Sequence, residues 1–205
     1  MNKALSDFYN MKSANDIVKS VSPVINLTKE ITESMQIHRR IKHRLINNEY
    51  KYTVFDICAG NCLTSSLLSH LFKLKKNYAI DIRDRVREGF KNIKRFEYLK
   101  LDIFKDMDNI IKLIDNSLPA IIVSVHPCNK LATQILEIFK RTKAEMALIM
   151  PCCEGANDIK IPHFISKKLS RYEKWCMNLA LKYSGTGYVC KSCLSNKNII
   201  LEFKN

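Results

Sequence analysis

The spacing of short β-rich runs constrains this chain more than any other feature. From Tyr52 onward, YTVFDI, NYAIDI, FEYLKLDI, AIIVSV and EMALIM follow one another, each separated from the next by a longer segment of mixed polarity. The first four run to Asp56, Asp81, Asp102 and Ser124, which lie 25, 21 and 22 residues apart. That distance holds one strand and one crossover helix, an arrangement that makes successive strands parallel and their connections right-handed. AIIVSV is apolar almost throughout, as strands buried on both faces are. GYVCKS and NIILEF, joined by CLSNK, read as an antiparallel hairpin. A helix from about Arg171 to Tyr183, with Trp175, Leu179 and Tyr183 on one face, precedes it. The expected fold is α/β: a mostly parallel seven-stranded sheet with a C-terminal antiparallel hairpin and helices on both faces.

Residues 1–50 carry no convincing strand. Leu27, Ile31, Met35, Ile41 and Leu45 recur at roughly helical spacing, with Arg39, Arg40, Lys42 and Arg44 near the end. The reading is a helical N-terminal extension over 1–50 and one α/β domain over 51–205, within a length that favours a single domain. With 46% hydrophobic residues the chain can bury an ordinary core, and five glycines and five prolines leave little room for linkers. The opening MNKALSDFYN lacks a basic-then-apolar leader, so the eight cysteines are expected as reduced thiols in a cytoplasmic protein. Apolar runs such as Ala120 to Val125 are far short of the ~20 residues that span a bilayer, so no membrane insertion is expected.

A parallel α/β sheet binds ligands beyond the carboxyl ends of its strands. The first such end is Asp56-Ile57-Cys58-Ala59-Gly60-Asn61-Cys62, leading into the apolar LTSSLLSHLF. Gly60 allows a tight turn and close backbone approach, and the following helix start offers unpaired N–H groups. Asp81 lies 21 positions beyond Gly60, near the ~20-residue offset at which a carboxylate meets ribose hydroxyls in nucleoside-binding folds. Aspartates at strand ends also cap the helices that follow, which is the plainer reading. Together, Asp56, Asp81 and Asp102 with the turn at Gly60 resemble the S-adenosylmethionine site of class I methyltransferases over about residues 50–205. The resemblance implies a Rossmann-like methyltransferase fold with S-adenosylmethionine as cofactor. It places Asp56 near the methionine amino group, Asp81 on ribose and Asp102 beside adenine, with Cys58, Gly60 and Asn61 forming the cofactor turn. Cys58 and Cys62 stand where the family's Gly-x-Gly-x-Gly pattern has its outer glycines. An NAD site is disfavoured, because a pyrophosphate needs several close backbone approaches.

After the fourth run comes His126-Pro127-Cys128-Asn129, and after the fifth Pro151-Cys152-Cys153-Glu154. His-x-Cys followed by Cys-Cys resembles the methyltransferase branch that includes tRNA 2′-O-methyltransferases, whose pattern is His-x-Cys-Gly and Cys-Cys-His. Asn129 replaces that glycine and Glu154 that histidine. The resemblance makes His126 and Cys128 the candidate catalytic residues, His126 as a general base or an orienting group. Cys128 and Cys152 are also similar to the cysteine pair of RNA 5-methylcytosine methyltransferases, in which a thiolate adds to the pyrimidine ring. There His126 replaces the usual aspartate. The plain alternative is that these thiols are small space-filling side chains.

Cys190 and Cys193 form a lone Cys-x-x-Cys. With Cys152 and Cys153 they would make a four-thiolate zinc site, but hairpin residues are the preferred reading and no metal is expected. The 34 Lys and Arg outnumber the 20 Asp and Glu by 14. Lys73 to Lys105 holds eleven basic residues against five acidic, and Arg39 to Arg44 and Lys160, Lys167, Lys168, Arg171 and Lys174 add two further basic regions. A solvated face is the ordinary meaning of such a run. Three regions together favour a polyanion, so the expected partner is RNA, tRNA foremost. A small-molecule or protein methyltransferase and a non-catalytic RNA-binding subunit remain the alternatives.

Overall fold

The computed structural model describes residues 2–155 and 167–205. Three helices, α1 (Lys3–Tyr9), α2 (Ala14–Val21) and α3 (Leu27–Ile46), precede the sheet. The repeat then runs β1 (Thr53–Ile57), α4 (Leu63–Leu71), β2 (Lys76–Asp81), a short 3-10 turn at Glu88–Asn92, β3 (Phe96–Lys100), α5 (Met107–Asp115), β4 (Ala120–Val125), α6 (Lys130–Arg141) and β5 (Met146–Met150). Helix α7 (Arg171–Lys182), strand β6 (Thr186–Val189) and strand β7 (Ile199–Lys204) complete the described chain. The seven strands lie in the order β3-β2-β1-β4-β5-β7-β6. β1 to β5 are mutually parallel, whereas β7 runs antiparallel to both β5 and β6. The sheet expected from the spacing of the runs is the sheet observed, and its order reverses between β1 and β4, where such sheets bind ligands.

Burial on both faces follows from the strand sequences. In β1, Phe55 and Ile57 enter the core shared with α5, α6 and α7, while Val54 faces the opposite core with Ile37, Ile41 and Leu45 of α3. This is the period-two alternation of a pleated strand with helices on each side. Helices α1 and α2 pack outside α3 and α4, forming a third cluster with Phe8, Ile17, Met35 and Leu67. Polar contacts reinforce α3: Arg40 bonds Glu202 of β7 at 2.6 Å and Arg44 bonds Glu145 beside β5 at 2.5 Å. Among the described residues no helix is long and apolar enough to cross a membrane.

Candidate active site

Backbone geometry at the end of β1 comes first. Cys58, Gly60 and Cys62 all have positive φ, at 62°, 56° and 62°. The turn therefore keeps at three alternate positions the conformation that glycine adopts freely, although two of the three residues are cysteines. Cys62 is fully buried in the core beneath the turn, whereas Cys58 reaches the cavity above it. Burial, helped by the nearby Asp81 and Asp56 charges, pushes the Cys58 thiol up to about 12, so it stays protonated at neutral pH.

The strand-end aspartates divide into different roles. Asp81 accepts from the Gly60 N–H at 2.9 Å, and its two oxygens also accept from Arg83 Nε at 2.8 Å and Arg83 Nη2 at 3.0 Å. Burial alone would raise this carboxyl, but the Arg83 guanidinium and the Arg83 and Gly60 N–H groups outweigh it and hold it below the ordinary range. Asp81 is thus an ionised acceptor pinned to the turn. Asp56 is buried, and its Oδ2 accepts from the Ser65 hydroxyl at 2.7 Å and the Ser65 N–H at 3.2 Å. It ties β1 to the first turn of α4 and is not among the residues lining the cavity. Burial pushes Asp56 up to about 7 despite the Ser65 bonds. Asp102 lies two residues past β3, on the cavity wall, where its Oδ1 accepts from the Phe104 N–H at 2.9 Å.

Asp81, Asp102, Cys58, His126 and Cys128 border one cavity of about 420 Å³ at the carboxyl edge of the sheet. Sequence reasoning missed three of its walls. Ile82 and Phe104, 61% and 51% exposed, offer apolar surface that a planar ring would cover. Arg83 lies across the turn, with its Nη2 3.4 Å from where a Gly60 side chain would begin. The offset that pointed to Asp81 also contained Ile82 and Arg83, and Phe104 follows Asp102 by two, so the signal was adjacency. Asn61 stands outside the cavity lining; its side chain accepts from Arg85 at 2.7 Å and Arg87 at 3.1 Å and donates to Glu30 at 2.8 Å, locking the turn to α3 and to the segment after β2.

His126 also has a positive φ, 63°, and its N–H bonds Met150 O across β4 and β5 at 2.9 Å. Its Nε2 lies 2.6 Å from Oε2 of Glu33, a fully buried carboxylate of α3, close enough for an ion pair although the angles are poor for a hydrogen bond. Lys29 approaches the other Glu33 oxygen at 3.8 Å. A carboxylate so deeply buried needs such partners. No motif pointed to Glu33, because 93 residues separate it from His126. Cys128, exposed at the start of the β4–α6 connection, sits 2.9 Å from the sulfur of Cys152 and 3.4 Å from that of Cys153. Cys190 and Cys193 are not part of this cluster.

The arrangement fits a nucleoside cofactor. An ionised carboxylate stands at the glycine turn as an acceptor for ribose hydroxyls, Asp102 and two exposed apolar side chains frame a place for a flat base, and the cavity is of ligand size. Arg83 is half exposed, so it can swing away and release the Asp81 oxygens it now occupies.

Residues 27–157 match the family described as Methyltransferase domain. A sequence search of curated proteins finds no match. Among solved structures, TrmK of M. capricolum in complex with S-adenosyl-homocysteine is 13% identical, with 80% of this chain and 67% of that one covered and a TM-score of 0.48. A SAM-dependent methyltransferase of Aquifex aeolicus is 15% identical, with 96% of both chains covered and a TM-score of 0.47. The CurJ carbon methyltransferase is 11% identical, with 85% of this chain and 54% of that one covered and a TM-score of 0.55, a likeness of fold. The family match spans more than half of the chain and contains the turn at Gly60, Asp81, Asp102 and His126: the chain belongs to the methyltransferase domain family and is an S-adenosylmethionine-dependent methyltransferase.

Proposed function

We propose that the methyl acceptor is RNA, tRNA foremost, and that it meets the cofactor beside His126. The observation that carries this reading is the position of cations around the cavity. Arg83 lines it, Lys105 follows the lining residue Phe104, and Lys130 precedes the lining residue Leu131. Lys105 and Lys130 are exposed and have no ion pair among the described residues. Lys91 and Lys94 extend the exposed basic surface beyond β2. Such cations neutralise phosphates and give affinity without reading sequence. Lys167, Lys168 and Arg171 are exposed as well, whereas Lys160 lies outside the described residues.

Asp81, Gly60 and Asp102 hold the cofactor in this reading, with Cys58 on the cavity wall. Asn61 secures the turn, and Asp56 secures β1 against α4. Bound S-adenosylmethionine supplies an electrophilic methyl group. The chain's own residues orient the acceptor and take its proton. Nε2 of His126 faces Glu33, so Nδ1 is the nitrogen left for an acceptor hydroxyl. Glu33 acts through His126 and is a positioning residue. Ring-carbon methylation through Cys128 has less support. Among the described residues its hydrogen-bonding neighbours are the thiols of Cys152 and Cys153 and the His126 carbonyl, none of them a base that would ionise it, and desolvation raises its pKa.

Incubation of the protein with labelled S-adenosylmethionine and total RNA, followed by nucleoside mass analysis, tests the proposal. Label in a single methylated nucleoside of the tRNA fraction is the expected result. Label confined to protein or small molecules, with none in RNA, rejects it.

A further inference from the structure

Three sulfurs converge where β4 and β5 end. The two strands pair in register, with Val125 opposite Met150, so the residues just beyond them emerge side by side. Cys128 comes from the first connection, and Cys152 and Cys153 come from the second. The Cys128–Cys152, Cys152–Cys153 and Cys153–Cys128 sulfur separations are 2.9, 3.4 and 3.4 Å. Cys128 and Cys153 are exposed and Cys152 is half-buried. We propose that Cys128, Cys152 and Cys153 bind a thiophilic divalent cation, Zn²⁺, with a fourth coordination position open toward the cofactor cavity.

The geometry favours a cation over the other uses of clustered thiols. In a tetrahedral site with Zn–S of ~2.3 Å the sulfurs stand roughly 3.8 Å apart, so the three need to spread by less than an ångström. Two of the three are exposed side chains on connections, where that movement is easy. A disulfide would join any two and strand the third, whereas a cation uses all three. Thiols are weak hydrogen-bonding groups, and among the described residues the His126 carbonyl is a further polar neighbour, 3.5 Å from Cys128 and 3.6 Å from Cys152. Binding releases the three thiol protons to solvent and replaces them with one ion, which matches the metal preference of sulfur ligands. Sites with three protein ligands keep the fourth position for water or substrate, while closed structural sites use four. Cys128 lines the cofactor cavity, so the open position lies beside it.

The proposal concerns metal content alone and stands apart from the identity of the acceptor, so the two fail separately. The full-length protein is reduced, stripped with a chelator, and titrated with Zn²⁺ and, in parallel, with Co²⁺ to read the thiolate-to-metal charge-transfer band. One equivalent with a band typical of three thiolates is expected. Cys152→Ser and Cys153→Ser should lower the affinity by on the order of 100-fold or more, and Cys193→Ser, outside the cluster, should leave it unchanged. Since Cys153 is exposed, metal-free Cys153→Ser should keep the melting curve of the metal-free wild type, which separates lost ligation from lost folding. Failure of the reduced wild type to take up either ion overturns the proposal. So does unchanged uptake by Cys153→Ser.

Discussion

The two halves of the carboxyl edge are built from different chemistry. At the ends of β1 and β2, the polar groups are carboxylates already engaged by the protein's own N–H groups: Asp81 by Gly60 and Arg83, Asp56 by Ser65. At the ends of β4 and β5 they are an imidazole against a buried carboxylate and three mutually touching sulfurs. The first half is held by these bonds and offers carboxylate oxygens to a ligand that donates hydrogen bonds. The second half offers an imidazole and thiols, basic and metal-ligating groups where the first offers acceptor oxygens. In the proposed reading one side holds the cofactor and the other receives the acceptor, so perturbing each side should move different measurements.

The largest effect is expected on the acceptor side. His126→Ala should lower turnover by roughly 100-fold, the low end of what positioned general bases contribute, while calorimetric affinity for S-adenosylmethionine stays near wild type. Normal turnover in this variant would remove the chemical distinction between the two halves. On the cofactor side, Asp81→Ala removes an ionised acceptor whose hydrogen bonds are worth about 1.5–3 kcal/mol, so the cofactor should bind roughly 10- to 100-fold more weakly. Unchanged calorimetric affinity would show that ribose does not meet Asp81.

The sequence exposes these two halves unevenly, for physical reasons. The strands were legible because parallel strands covered by helices on both faces must be apolar, and the crossover length fixed their spacing. Asp81 was legible for the same reason: 21 residues is the path from the first turn through α4 and β2. The glycine turn was legible at Gly60, and the resemblance put Cys58 and Cys62 at its outer glycine positions, but that both cysteines keep the left-handed conformation is visible only in the backbone. Glu33 was hidden because its partnership with His126 depends on how α3 crosses the sheet. Cys128, Cys152 and Cys153 were legible as thiols at adjacent strand ends, but their mutual contact depends on the β4–β5 register, which no spacing in the sequence gives. Asp56 shows parity at work: it shares its strand face with Val54, the face covered by α3 and α4, and there it finds Ser65.

That burial predicts a pH dependence. The Asp56 carboxyl has a pKa of about 7 in the folded protein, above the ~3.9 of an unfolded chain. The folded state therefore binds the proton more tightly, and this group's contribution to stability is fully present below about pH 4 and is lost as pH rises toward 7. Asp56→Asn keeps an oxygen for Ser65 and removes the titration. At 1.36 kcal/mol per pKa unit the limit is on the order of 4 kcal/mol, and relaxation around a buried carboxylate reduces this to roughly 2 kcal/mol. Melts of the two proteins at pH 5 and pH 8 should show the asparagine variant gaining on the wild type at the higher pH. A constant difference between them would mean that Asp56 titrates where an exposed aspartate does, and that the cofactor half is less tightly closed than its geometry indicates.

The smallest effect distinguishes the halves by strain. Asn129, after Cys128, has φ 48° and ψ −114°, a region that side-chain-bearing residues rarely enter, and it is exposed with no side-chain bond capping α6. Cys62 at the cofactor turn is equally left-handed but fully buried, so a glycine there would leave a void that offsets the relief of strain. Asn129→Gly has no such cost. It should therefore stabilise the protein by about 1 kcal/mol, a melting-temperature rise of about 2–4 °C for a chain of this size, while Cys62→Gly should not. Because strained backbone is retained where surrounding structure enforces it, the second readout is the activity of Asn129→Gly. A more stable but slower enzyme would show that the conformation at Asn129 sets how the β4 end presents His126 and Cys128. A more stable and equally fast one would confine the strain to the connection itself and leave the presentation to Glu33 and the β5 pairing.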